Sequence, residues 1–274
     1  VMMFLQFFVW GAWYVTTGPF LGKQGWGIGG TVYALCPIAA MISPIFLGMV
    51  ADRFFATQKV LACMHLLGGI SMLWLASIAG SADADPSMFT WVLLAHALCY
   101  MPTIGLANTL AFQNLTDQAR QFPIIRVFGT LGWIAAGTLV SYGLGVDTEE
   151  ATVEVAAQQY TVTAAASILL AGFCLTFPHT PPPAAGKKVS LAETIGLGAL
   201  PLMKQPAFLV FMLCSFLTCI PLMAYYTNAQ IFVGESGFEH PAFIMSFGQW
   251  VEVIFMLLMP AMFARLGVKW MLAR

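Results

Sequence analysis

Gln249 and Glu252 stand three residues apart in the otherwise apolar run 241–263. That spacing puts an amide and a carboxylate on one helix face, where both can address one ligand. The run has the length and composition of a membrane span. A carboxylate there costs roughly 2.5–3.5 kcal/mol on insertion scales and needs a partner, a water-filled cavity or a proton. Arg126 is the other charge well inside an apolar run, and Arg126, Thr130 and Trp133 recur at i, i+4 and i+7. Guanidinium, hydroxyl and indole then line one face of a helix. Tyr225 and Asn228 share a face just after Pro221, which can kink a span, and Tyr226 and Thr227 are expected to point elsewhere. A carboxyl held between desolvation and a nearby cation can carry a proton, so Glu252 is the candidate for proton coupling; it could equally accept hydrogen bonds from solute hydroxyls.

Other polar residues in apolar runs read two ways. Gln6, Trp10, Trp13 and Thr17 form a stripe whose π faces could stack on a flat ring or simply pack a helix. Asn108, His65 and His96 could line a pathway or hydrogen-bond a neighbouring helix. Arg126 could snorkel to the interface, and Tyr225 could belong to an interfacial aromatic belt. Two literal motifs carry nothing. Gly25, Gly27 and Gly30 satisfy GxGxxG without a preceding strand, and the sequon Asn114–Thr116 falls in a connection expected on the cytoplasmic side.

The elements that must position these residues are membrane helices. Of 274 residues, 59% are hydrophobic and 8% charged, against about 25% charged in soluble domains; mean hydropathy is +0.83. A net charge of −1 gives no basic footprint for nucleic acid. The six cysteines all lie in apolar runs with no CxxC or Cys/His spacing, and read as reduced packing residues. No HExxH, other metal spacing or nucleophile–base dyad is evident, so no enzyme and no bound cofactor is expected. Eight runs suffice to cross a bilayer: 2–21, 30–50, 59–79, 88–112, 122–143, 157–178, 206–229 and 241–263. Their continuous apolarity selects helices over barrel strands.

Loop charges orient the spans. Connections 51–58, 113–121, 179–205 and 264–274, with their edges, carry nine basic residues; 22–29, 80–87, 144–156 and 230–240 carry Lys23 alone. The bias puts the amino terminus and the 179–205 connection in the cytoplasm. That Pro/Gly/Lys-rich connection, with Lys187 and Lys188 and a short amphipathic stretch around Leu191–Leu200, marks a linker. It separates a six-span unit, 1–178, from the start of a second, 206–274. An echo supports the division: Asp52, Arg53 and Lys59 follow span two, and Ala264, Arg265 and Lys269 follow span eight. Repeated halves are a mark of secondary transporters.

Gly48, Asp52 and Arg53 between spans two and three resemble the loop signature of the major facilitator superfamily, with Phe54, Phe55, Ala56, Thr57 and Gln58 replacing much of its remainder. An Asp–Arg pair at a cytoplasmic helix end can bridge helices and hold one conformation shut, which makes Asp52 and Arg53 gating candidates. The chain is more specifically similar to the nucleoside:proton symporter branch. The segments that carry the likeness run from Phe4 to Trp13, from Met101 to Thr109, from Pro123 to Trp133 and from Gln249 to Glu252. The resemblance implies an all-α major facilitator fold of two six-helix halves, the second incomplete in this chain, within a longer protein of twelve spans. It implies solute contact by Arg126, Thr130, Trp133, Asn228, Gln249 and Glu252, with Tyr225 standing where the family has a glutamine. It also implies a multi-pass carrier in the cell membrane (the inner membrane in a bacterium) that imports a nucleoside or similar small polar solute with a proton and functions as a monomer. A carrier for another solute such as a sugar, a facilitator without proton coupling, and a sensor that binds without transporting are the alternatives.

Overall fold

The computed structural model describes the backbone of residues 1–81, 83–181 and 197–273, and their side chains except 44–46, 48–54, 119, 198–199, 268–269 and 272–273. The side chains of the gating candidates Asp52 and Arg53, and all of the linker residues 182–196 with Lys187 and Lys188, lie outside what is described. The described residues form an all-α bundle: α1 Met2–Gly11, α2 Thr17–Lys23, α3 Gly29–Phe54, α4 Thr57–Ala79, α5 Pro86–Gln113, α6 Gln118–Thr138, α7 Val153–Cys174, α8 Pro206–Glu235 and α9 Pro241–Ala273. A π-turn, Leu139–Gly143, extends α6, and a 3₁₀ segment, Leu197–Lys204, precedes α8. Among them α4, α5, α6 with its extension, α8 and α9 up to Gly267 are long and apolar enough to cross a membrane. Such a set makes this a multi-pass membrane protein.

Each expected span contains helix, with three departures. Run 2–21 is broken between α1 and α2. Pro19 has no N–H to give the carbonyl of Val15, and the hydroxyl of Tyr33 from α3 fills the gap: it donates to Val15 O at 3.4 Å and accepts from Gly18 N at 3.1 Å. Thr17 turns its hydroxyl onto Trp13 O at 2.7 Å, offering the backbone a further local alternative. Run 157–178 becomes α7, whose Gln158, Gln159, Thr161 and Thr163 leave it outside the set of long apolar helices. Gln158 and Thr161 are exposed, whereas Gln159 and Thr163 are inaccessible, and Gln159 accepts from the Thr16 hydroxyl at 2.5 Å. Run 241–263 extends further than expected, its apolar helix running to Gly267, whose φ of +69° kinks α9 before the helix resumes to Ala273.

Capping fixes several starts. Asp85 accepts from Ser87 N at 2.9 Å ahead of Pro86, Asp117 from Arg120 N at 3.1 Å, and Thr152 from Val155 N at 3.3 Å. The helices then pack α4 on α5 and α7, α3 on α5, α1 on α6 and α7, and α6 on α9. Small residues set the closest approaches. A Cβ on Gly132 of α6 would collide with the backbone carbonyl of Phe4 in α1, and one on Gly69 of α4 would press on Ile168 of α7. The main core is aromatic, with Trp13, Phe20, Phe89, Tyr100 and Tyr160 fully buried.

Candidate solute site

The α1–α6 seam and the facing stretch of α9 bring most of the candidate residues together. Trp10 of α1 meets Trp133 of α6 edge-on at 5.5 Å between ring centroids. Trp133, Tyr225 of α8 and Gln249 of α9 line one narrow pocket, with Tyr226, Met245 and Ser246. One turn away, the hydroxyl of Thr130, itself buried, donates to the Glu252 carboxylate at 3.4 Å and so links α6 to α9. Val127 and Ile134 of α6 pack against Val253 and Met256 of α9 on either side of that contact.

Arg126 lies one turn before Thr130. Its guanidinium carbon is 4.0 Å from the ring centroid of Phe7 in α1, within the range of an attractive cation–π contact. Its Nη1 is buried with no hydrogen-bond partner. Among the described residues Arg126 makes no ion pair within 4.0 Å; Arg120 with Asp117, at 3.7 Å, does. Glu252, Tyr100 and Tyr226 are its ionisable neighbours. The site therefore holds a cation with spare donor capacity, a carboxylate held at the long limit of a hydrogen bond, an amide and several ring faces. Such a set can bind a solute with a flat ring and several hydroxyls.

Tyr226, expected to point away, turns inward: its ring is 5.3 Å from Tyr14 and 6.4 Å from Trp133, and it stacks edge-on with Tyr225 at 5.6 Å. Asn228 is exposed and bonds its own helix, donating to Ala224 O at 3.0 Å and to Thr227 Oγ1 at 2.7 Å. Within the α1 stripe only Trp10 reaches Trp133; Trp13 and Thr17 are buried in the core, Thr17 against the Tyr160 hydroxyl at 3.1 Å. Gln6 belongs to a buried network, donating to Thr103 Oγ1 at 2.7 Å and bonding His65 Nε2 at 2.9 Å, while His96 Nδ1 meets Gly68 O at 3.0 Å.

Sequence reasoning missed a second polar centre, at the end of the bundle where α6 ends and α9 begins. Oδ2 of Asp147, a buried loop carboxylate, accepts from Ser141 Oγ at 3.0 Å, Gln230 Nε2 of α8 at 2.9 Å and the backbone N–H of Ala242 in α9 at 2.9 Å. His240 Nδ1 bonds Ser141 O at 3.2 Å beside it. No spacing rule marks Asp147, because its partners come from three separate elements.

The described residues thus form a multi-span α-helical membrane bundle with a polar and aromatic site between α1, α6, α8 and α9. The family model for the nucleoside H+ symporter matches residues 1–273, and the chain belongs to that family. It is 41% identical over 270 residues to YegT of Escherichia coli (strain K12), an alignment covering 98% of this chain and 62% of YegT. It is 32% identical over 286 residues to the xanthosine permease of the same organism, covering 98% of this chain and 65% of the permease. The chain thus spans somewhat under two thirds of the length of these relatives. A crystal structure of a point mutant of the nucleoside transporter NupG superposes with a TM-score of 0.81 at 32% identity, covering 98% of this chain and 68% of that one. A second NupG structure gives 0.76 at 31% identity, covering 98% and 67%.

Proposed function

We propose that the chain is the greater part of a secondary active transporter that imports a nucleoside, or a close polar analogue, together with a proton. The observation that carries this reading is the meeting of Thr130 and Glu252 across α6 and α9, with Arg126 one turn away and Trp133, Tyr226 and Gln249 around them. The relatives named as a xanthosine permease and a nucleoside transporter supply the substrate class.

In this reading residues 1–178 form a six-helix half and 206–274 open a second, joined by a cytoplasmic linker, 179–205. The amino terminus is cytoplasmic, the membrane is the cell membrane (the inner membrane in a bacterium) and the working unit is a monomer. Rocking of the halves about a site built from both exposes it to each side in turn. Arg126 and Gln249 bind polar edges of the solute and Trp133 a ring face. Tyr225 and Asn228 join the wall in the assembled site. Glu252 accepts a solute hydroxyl or carries the proton, and Asp52 and Arg53 close the cytoplasmic side. The driving force is the proton gradient.

The test is uptake by the full-length protein in proteoliposomes, with uridine, adenosine and xanthosine as solutes, sugars as competitors and pH imposed on each side. An inward proton gradient should drive accumulation. Glu252→Gln should abolish accumulation at unchanged protein level. Accumulation that survives Glu252→Gln removes the proton-carrier role, and binding without counterflow exchange would make the protein a sensor.

A further inference from the structure

The guanidinium of Arg126 sits in a seat made by two residues that carry no charge. Phe7 presents its ring face 4.0 Å from the guanidinium carbon. Gly129, one turn along from Arg126 on the helix side facing α1, leaves the space that both groups occupy. A Cβ at Gly129 would fall 2.8 Å from Arg126 Nη1 and 2.7 Å from Phe7 Cδ2. Nη1 is buried and unpartnered. An arginine in a span ordinarily extends its long stem toward the interface, where water solvates the charge. Here the glycine gap lets the guanidinium fold against α1, and the ring face supplies the attraction that water would otherwise give.

We infer that Phe7 and Gly129 are positioning residues for Arg126: the gap at Gly129 admits the guanidinium against the Phe7 ring, which holds it inside the site with donors free for the solute. This inference rests on the proposed role of Arg126 in solute binding. It differs from simple packing in what it requires of Phe7, namely the electron-rich face of the ring and not its volume alone.

The experiment uses the full-length protein and equilibrium binding of uridine, adenosine and xanthosine. Phe7 is replaced in turn by mono-, di- and trifluorophenylalanine, which keep the ring's shape while draining its face of negative potential. Affinity should fall stepwise, by about tenfold in total, with thermal stability unchanged. Phe7→Trp, which strengthens the face, should bind at least as tightly as the unsubstituted protein, and Phe7→Leu, which has no ring face, should bind poorly. Gly129→Ala presses on the Phe7 ring as well as on the end of Arg126 and should bind weakly, and the fluorinated series, which keeps the ring's shape, separates loss of the ring face from loss of packing. Equal affinity across the fluorinated series, with Arg126→Gln losing binding, overturns the inference and leaves the proposed site standing. Unchanged binding in Arg126→Gln overturns the site reading and the inference with it.

Discussion

Thr130 offers its hydroxyl to the Glu252 carboxylate at 3.4 Å, long for an O–H···O contact, so its net worth falls at the low end of the usual range. Thr130→Val keeps the shape and removes the donor. At about 0.5 kcal/mol the loss predicts roughly 2-fold weaker solute binding with the fold intact, read by calorimetry and a thermal melt. An unchanged affinity would show that the solute replaces this contact when it binds. Glu252, Gln249 and Arg126 were legible in the sequence because polar groups in an apolar run are rare and costly. Tyr226 was not. In a run with two adjacent tyrosines, helical periodicity says only that they differ by about 100° in direction, and which one faces inward depends on how α8 lies against Tyr14 and Trp133.

At the scale of the helix, run length and hydropathy were enough to locate the helices, since the bilayer leaves few other ways to satisfy the backbone. The break between α1 and α2 was hidden because its cause, the Tyr33 hydroxyl at Val15 O and Gly18 N, comes from α3. Close approaches were equally hidden: a glycine code reads the same wherever it stands. Gly132 abuts the Phe4 backbone, which cannot move aside, whereas a Cβ on Gly105 of α5 meets nothing within 4 Å. Gly132→Val should separate α1 from α6 and cost about 3 kcal/mol or more, seen as loss of monodisperse protein after detergent extraction. Gly105→Ala should be neutral or stabilising by up to about 1 kcal/mol, because alanine restricts the unfolded chain without a clash. Similar losses from both substitutions would mean that helix packing does not set the glycine requirement.

For the whole molecule, alternating access requires contacts that close one end while the other is open, and the Asp147 centre has the connectivity of such a clasp. Its carboxylate joins Ser141 at the end of α6 to Gln230 of α8 and Ala242 of α9. It also lies at the N-terminus of α9, where the helix dipole favours a negative charge. Under the proposed topology this end faces outward, and the clasp ties the first half to the second there. Asp147→Ala leaves the Ala242 N–H and the Gln230 amide without their acceptor, at about 1–3 kcal/mol for each group left unsatisfied. Asp147→Asn keeps one acceptor oxygen and should cost less. Both should lower the melting temperature of the full-length protein, alanine more than asparagine. A clasp has a further signature that a static brace lacks. Ser246 is buried in the pocket between α6, α8 and α9. With the native cysteines replaced, Ser246→Cys should react slowly with an impermeant maleimide applied from outside, and several-fold faster once Asp147→Ala is added. A lower melting temperature with unchanged labelling would assign Asp147 to stability alone. Faster labelling would show that the free energy of closing the outer end resides in this carboxylate, roughly 15 Å from Glu252 along α9 at 1.5 Å per residue, so the proton or solute bound at Glu252 need only outweigh a few hydrogen bonds to change which side the site faces.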